Sequence, residues 1–343
     1  MSRIVLTGLF LCWLPVAVQA GPLVPGHVAA DAKWLIHVNL EAIKSSDLAG
    51  LCPVEWKEHA ASGEKVKRMT EKLGLNPLQD LLGVTIYDTL YKRHSGVMLV
   101  HVRNLDQARM LESFKKSKPD HTTREHAGRT LYSWTEKHHG HGEHPVTGCF
   151  ASEHTILFSS SPEQAQAALD VLDGKQEALA GDAALLKGFP RRAMIASRAV
   201  DVSDEYQTVT RCPVLKHTRA ASSSFLEKDG QLIVRYVLEA NSEEQAKNFV
   251  AIVDGLKALG AMHLGRHKAM APLVDSLKAR AKGTTVTINW QASHEAIAHA
   301  VKEGVERRKE MRERWKKLHE QRQKTKAAEE TKAAEETKAA KEE

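Results

Sequence analysis

Aromatic residues make up only 5% of this 343-residue chain although 42% of it is hydrophobic, so a core has to be built from aliphatic side chains. Cysteine is scarce too. Cys12, Cys52, Cys149 and Cys212 form no CxxC pair, which excludes a thioredoxin-type redox motif and a zinc knuckle. No GxGxxG or GxxxxGK[ST] occurs, removing the usual glycine-rich phosphate cradles. GxSxG and a recognisable spaced carboxylate pair are missing as well, and no catalytic residue is legible. That does not exclude an enzyme, because triads are assembled in space rather than in sequence. After residue 20 no apolar run approaches the roughly 20 residues of a membrane span. Net charge is +6, but Lys302 to Lys324 alone holds ten Lys/Arg against five Asp/Glu, leaving the rest near neutral. Such a distribution argues against a nucleic-acid partner.

What is present starts at the N-terminus. Arg3 precedes an apolar run from Ile4 to Val18 that is interrupted by Pro15 and closes on Val18-Gln19-Ala20, whose small residues suit signal peptidase. Residues 1–20 therefore read as a signal peptide, with a mature chain from Gly21 exported to the periplasm or secreted. Leu9-Phe10-Leu11 before Cys12 lacks the small residues of a lipid-attachment site.

The remainder carries an approximate internal repeat. Trp34 to Glu41 matches Met194 to Asp201 at an offset of 160, and Cys52-Pro53-Val54 recurs as Cys212-Pro213-Val214 at the same offset. The strand Val97 to Arg103 with the helix start after it resembles Leu232 to Glu239 and its helix start. Thr155 to Ser160, then Ser161-Pro162-Glu163, resembles Thr285 to Gln291, then Ser293-His294-Glu295. Ser161 and Ser293 are good helix N-caps, and Pro162 sits where its missing N–H costs nothing. The expected organisation is a first α+β repeat over 21–180, a second over 181–305, a projecting basic helix over 306–324 and a Lys/Ala/Glu tail over 325–343. Helices do not alternate strictly with strands, and several strands are close enough to form hairpins. The pattern predicts an α+β fold of two related halves with mixed, largely antiparallel sheets and a long C-terminal helix.

Ala30 to Leu40, Leu73 to Leu81 leading into Val84-Thr85-Ile86-Tyr87, and Ala167 to Lys175 resemble an uncharacterised group of secreted proteins from planctomycete-type bacteria. The resemblance covers most of Ala30 to Lys175 and, more faintly, the second half. It implies export and a globular α+β body, and it brings no activity and no catalytic residues.

His138, His139, His141 and His144 form the densest run of candidate metal ligands, on a glycine-containing loop with Glu143 beside them. Close imidazoles can bind Zn²⁺, Cu²⁺ or Ni²⁺ without a preformed cage; the other reading is a solvated hairpin loop. His294 and His299 miss the HExxH spacing by one residue, which places them about 140° apart on a helix, so they cannot share a zinc. Cleavage leaves Cys52, Cys149 and Cys212. Two readings stand. Cys52 and Cys212, equivalent in the repeat, form a disulfide and Cys149 packs as a buried thiol, or all three remain thiols.

From Ser293 one long helix is expected, docked through Ile297, Val301 and Val305 and then projecting with Met311, Trp315 and Leu318 amid Lys and Arg. This basic helix could lie on an anionic membrane, pair with another helix, or stand solvated. The six-residue period of Thr325 to Glu342 makes no apolar seam, so the tail is a semi-rigid spacer or disordered. The sequence points to an exported, non-enzymatic binding or structural protein of the cell envelope with no identified cofactor. The alternative is a metal-handling protein or metal-dependent hydrolase using the His138 to His144 loop.

Overall fold

Strand β1 (Trp34–Asn39) buries every second residue, Leu35, His37 and Asn39, and lies near the middle of the sheet, not at its edge. The computed structural model describes residues 21–50, 64–92, 95–138, 142–202, 213–264 and 270–342. Residues 1–20, Cys52 and Cys212 lie outside these.

After β1 come α1 (Leu40–Ser45), α2 (Asp47–Gly50), α3 (Glu64–Leu73), β2 (Leu81–Asp88) and β3 (Val97–Val102). Next are α4 (Gln107–Ser117), β4 (Thr122–His126), β5 (Arg129–His138), β6 (Gly142–Ser152), β7 (Thr155–Ser159) and α5 (Pro162–Leu172). The second half has β8 (Ile195–Ala199), β9 (Thr218–Lys228), β10 (Gln231–Ala240), α6 (Glu243–Leu264), α7 (Ala271–Asp275), β11 (Lys278–Lys282), β12 (Thr285–Ser293) and α8 (His294–Glu342).

The twelve strands among the described residues join one sheet in the order β11-β12-β10-β9-β8-β1-β2-β3-β7-β6-β5-β4. Every neighbouring pair is antiparallel. The fold is α+β. Outward from the β1–β8 pair the order reads β1-β2-β3-β7-β6 on one side and β8-β9-β10-β12-β11 on the other. The first half continues with β5 and β4.

Local chemistry sets the helix starts. Asp106 Oδ1 accepts from Arg109 N at 3.0 Å to open α4, and Ser242 Oγ accepts from Gln245 N at 3.2 Å to open α6. Ser161 opens α5 through Gln164 N at 3.2 Å, with Pro162 at the first helical position, and Ser293 opens α8 through Ala296 N at 3.2 Å. Each cap supplies an acceptor to an otherwise orphan N–H, worth about 1 kcal/mol. Two hairpins turn on residue pairs with positive φ, Ala127-Gly128 (49° and 74°) and Asp229-Gly230 (52° and 70°), the twist that suits two-residue loops between strands.

The main core sits on one face of the first half. Leu35, Leu99, Leu131 and Leu157 are completely buried there, under α5 and the connection that follows it. Each such leucine contributes about 2 kcal/mol through loss of apolar surface. Arg129 fastens the β4–β5 hairpin to α5, donating to both Asp173 oxygens (2.9 and 2.8 Å) and through Nε to the Ala151 carbonyl (2.9 Å). The second half has a smaller cluster of Ala240, Ala246, Phe249 and Val286 beneath α6.

α8 runs 49 residues, roughly 73 Å at 1.5 Å per residue. Ile297, Val301 and Val305 are half-buried near its start, while Met311, Trp315 and Leu318 are 51%, 65% and 46% exposed. The helix continues through the Lys/Ala/Glu repeats, which have strong helix propensity even without a stripe to bury. No helix among the described residues is long and apolar enough to cross a membrane.

Candidate functional site

Strands β5, β6 and β7 have two apolar faces. Leu131, Cys149 and Leu157 turn to the main core; Tyr132, Trp134, Phe150, Ile156 and Phe158 turn to the other side, as strand alternation requires. Over that second face lies α4, sending down Met110, Leu111 and Phe114, with Leu73 at the end of α3 alongside. Phe114 meets the sheet edge-on: its ring centroid is 5.6 Å from Tyr132 and 5.0 Å from Trp134, and His121 closes the same cluster at 5.1 Å. Edge-to-face rings hold defined angles and do not collapse together. Between helix and sheet they leave an apolar cleft of about 240 Å³. Gly148 helps to keep it: a Cβ there would stand 3.1 Å from the Phe158 ring and 3.2 Å from Trp134.

The cleft opens past Ser113 and Ser117 onto a polar rim that shares those serines and Leu73. Lys72, Arg109 and Lys116 stand on this rim with Glu71 and Glu112. Lys116 Nζ lies 2.7 Å from Glu112 Oε1, holding the Glu112 carboxyl below its ordinary range through hydrogen bond and charge, and Arg109 donates to the Glu71 carbonyl. Three cations face two carboxylates, a local excess of one positive charge. On the opposite face of the strand, in the main core, Cys149 is a free, buried thiol whose pKa burial pushes up to about 12, with Arg129 opposing the shift.

Of the residues read from sequence as metal ligands, His138 ends β5 and His144 lies in β6, where it pairs across the ladder with Glu136. His139 and His141 fall outside the described residues, as do Cys52 and Cys212. Among the described residues a different trio converges: Asp47 at the start of α2, Glu227 near the end of β9 and His294 at the start of α8. One ligand atom from each lies within 4.8 Å of the others. His294 Nε2 is 3.2 Å from Glu227 Oε1 and Nδ1 is 3.9 Å from Asp47 Oδ2, while Asp47 N donates to Glu227 at 3.1 Å. Carboxylates thus flank both ring nitrogens. The trio can take a divalent cation or serve as an ion-paired staple between the two halves.

A third cluster lies at one end of the main core. Buried His37 donates from Nε2 to the Gly21 carbonyl at 2.8 Å, which makes Nδ1 the acceptor of the Thr85 hydroxyl at 3.0 Å. His27 and His101 stack nearby with centroids 5.8 Å apart. Burial lowers the pKa of all three, and His101 is taken to about 4 by burial with further repulsion from His27 and His37.

Sequence reasoning missed the cleft. Its signal was faint: Phe114, Tyr132 and Trp134 are three aromatic residues within some twenty positions of one another in a chain poor in them.

No protein-family model and no curated protein matches this chain. Three solved structures are similar over most of their length. Crystal form I of TP0453 has a TM-score of 0.44 at 12% identity, covering 81% of this chain and 96% of that one. Form III gives 0.43 at 10% identity over 82% and 97%, and form IV 0.41 at 9% over 83% and 98%. Likeness at this level carries no functional argument.

Proposed function

We propose that the protein works outside the cytoplasm as a non-enzymatic binding protein of the cell envelope, with the cleft under α4 as its binding site. The observation carrying this reading is the aromatic-walled space itself. Protein interiors are close-packed, and a well-formed apolar hollow with a few polar groups at its mouth is the usual form of a small-molecule site. Cys149 supports binding over chemistry: a thiol whose pKa is near 12 stays protonated at neutral pH and packs as a small apolar group. Arg3, the apolar run to Val18 and Val18-Gln19-Ala20 support export.

The test is calorimetric titration of the full chain with 1-decanol, a neutral ligand of matching bulk. One molecule should bind per chain. Binding should disappear in Leu111→Trp, which fills the cleft, and in Ser117→Phe, which narrows its mouth from an exposed position, with the unfolding midpoint retained in at least one of them. No uptake, or uptake indifferent to both substitutions, would overturn the reading.

A further inference from the structure

We propose that the cleft takes a single aliphatic chain ending in an anionic head, with Lys116, Arg109 and Lys72 receiving the head at the rim; this rests on the binding reading above. Size sets the first limit. An engineered apolar cavity of about 150 Å³ accepts benzene, so a cleft of about 240 Å³ has room for an aliphatic segment of roughly eight to ten carbons. Shape and polarity set the second. The walls offer Met110, Leu111, Phe114, Trp134, Ile156 and Phe158, with no charged side chain among the lining residues. A polar head inside would lose water without a matching partner, a penalty that forces it to the mouth.

At the mouth the chemistry changes within one helical turn. Ser113 and Ser117 line both the cleft and the rim, and Lys116 adjoins Ser117 on the same helix. α4 therefore carries an apolar column downward (Met110, Leu111, Phe114) and a charged column outward (Arg109, Glu112, Lys116), three and four residues apart as helix geometry requires. The excess of one positive charge selects the sign of the head. Lys116 pairs with Glu112 on the open surface, an exposed pair that contributes little and can be exchanged for a ligand carboxylate or phosphate. The Ser113 hydroxyl stands between tail and head, where a carboxylate or phosphate oxygen can accept from it, while Ser117 donates to the Phe114 carbonyl at 2.9 Å.

Calorimetric titrations of the full chain with decanoate, 1-decanol and decyltrimethylammonium at neutral pH test this, since the three differ in the head alone. Decanoate should bind about tenfold more tightly than decanol, the scale of one charge-assisted contact, and the cationic amphiphile more weakly than either. Lys116→Glu, at an exposed position, should abolish the preference for decanoate and leave decanol unchanged. Raising salt should weaken decanoate alone. To separate head sources, decyl phosphate is titrated beside decanoate; tighter binding of either still supports an anionic head and names it. Equal affinity for the three amphiphiles, or a preference for the cationic one, with decanol still sensitive to Leu111→Trp, would overturn this inference and leave the binding reading standing. Failure of decanol as well would remove both.

Discussion

Helices α4 and α6 occupy matching places in the two halves, each following the strand third from the seam and each opened by a side-chain cap, yet their outer surfaces are opposites. On α4 the solvent side carries Arg109, Glu112, Lys115 and Lys116. On α6 it carries Ile252, Leu256, Leu259 and Met262, which are 47%, 61%, 59% and 73% exposed. The sheet beneath differs in the same sense. In the first half both faces are apolar and both are covered, by α4 and by α5; in the second, Arg235, Asn289 and Glu239 alternate with residues that face α6. A shared topology thus fixes where a helix lies, while the residues of its outer face decide what it can meet. The first half keeps its apolar surface inward, in a core and a cleft. The second keeps a small core and leaves apolar surface outside.

The largest expected difference is in core energetics. Leu157→Ala should cost about 2 to 5 kcal/mol, because a fully buried leucine leaves a cavity in a crowded cluster. Val286→Ala, equally buried but in the small cluster, should cost about 1 to 2 kcal/mol, since fewer methyl groups are lost and α6 can settle. Urea unfolding of the two variants measures this, and equal costs would show that the halves are packed alike.

Acid should separate the halves next. His27, His37 and His101 all belong to the first, and their folded pKa values lie below the unfolded value of about 6.5. Between that pH and the lower folded values the unfolded chain binds more protons, so stability is fully present above about 6.5 and is lost as pH falls toward about 4. For His101 alone the loss is on the order of 3 kcal/mol at most. His101→Gln should flatten this limb in a stability–pH profile; a profile that keeps its slope would place the acid sensitivity elsewhere.

The smallest effect concerns the outer face of α6. Leu256→Ser with Leu259→Ser removes little buried surface and should leave unfolding stability within about 0.5 to 1 kcal/mol, allowing for the lower helix propensity of serine. Light scattering of concentrated protein should fall. A drop in stability like that of Leu157→Ala would mean that this face is covered, and the contrast with α4 would dissolve.

Most of what could be read from sequence was local. Ser161, Pro162 and Ser293 announce their helices because a cap acts within three residues, and the α+β class follows from strand spacing. The matching strand order of the halves accords with the segment pairs read at Trp34 and Met194, Val97 and Leu232, and Thr155 and Thr285. Strands β4, β9 and β11 left little trace. Thr218–Lys228 holds Ala220-Ala221-Ser222-Ser223-Ser224, with little β propensity, and it pairs because its neighbours present complementary edges, with Ser197 Oγ and Ser223 Oγ 2.7 Å apart. Lys278-Ala279-Arg280-Ala281-Lys282 is an edge strand whose lysines discourage further pairing and hide it as a loop. The apolar run from Gly148 to Ser160 is divided between two strands, broken at a tight turn around Glu153. The cleft was invisible for a different reason. Its walls come from residues 73 to 158, and only the tertiary fold brings them together.

The place of β1 has a consequence for the order of events in folding. One of its edges pairs with β2, some fifty residues on, but the other waits for β8, whose register sets Trp34 against Ala199 and Val38 against Ile195. Until nearly 200 residues have been made, the first strand of the sheet has a bare edge, and the two halves cannot close into one sheet. Long-range pairing of this kind slows folding.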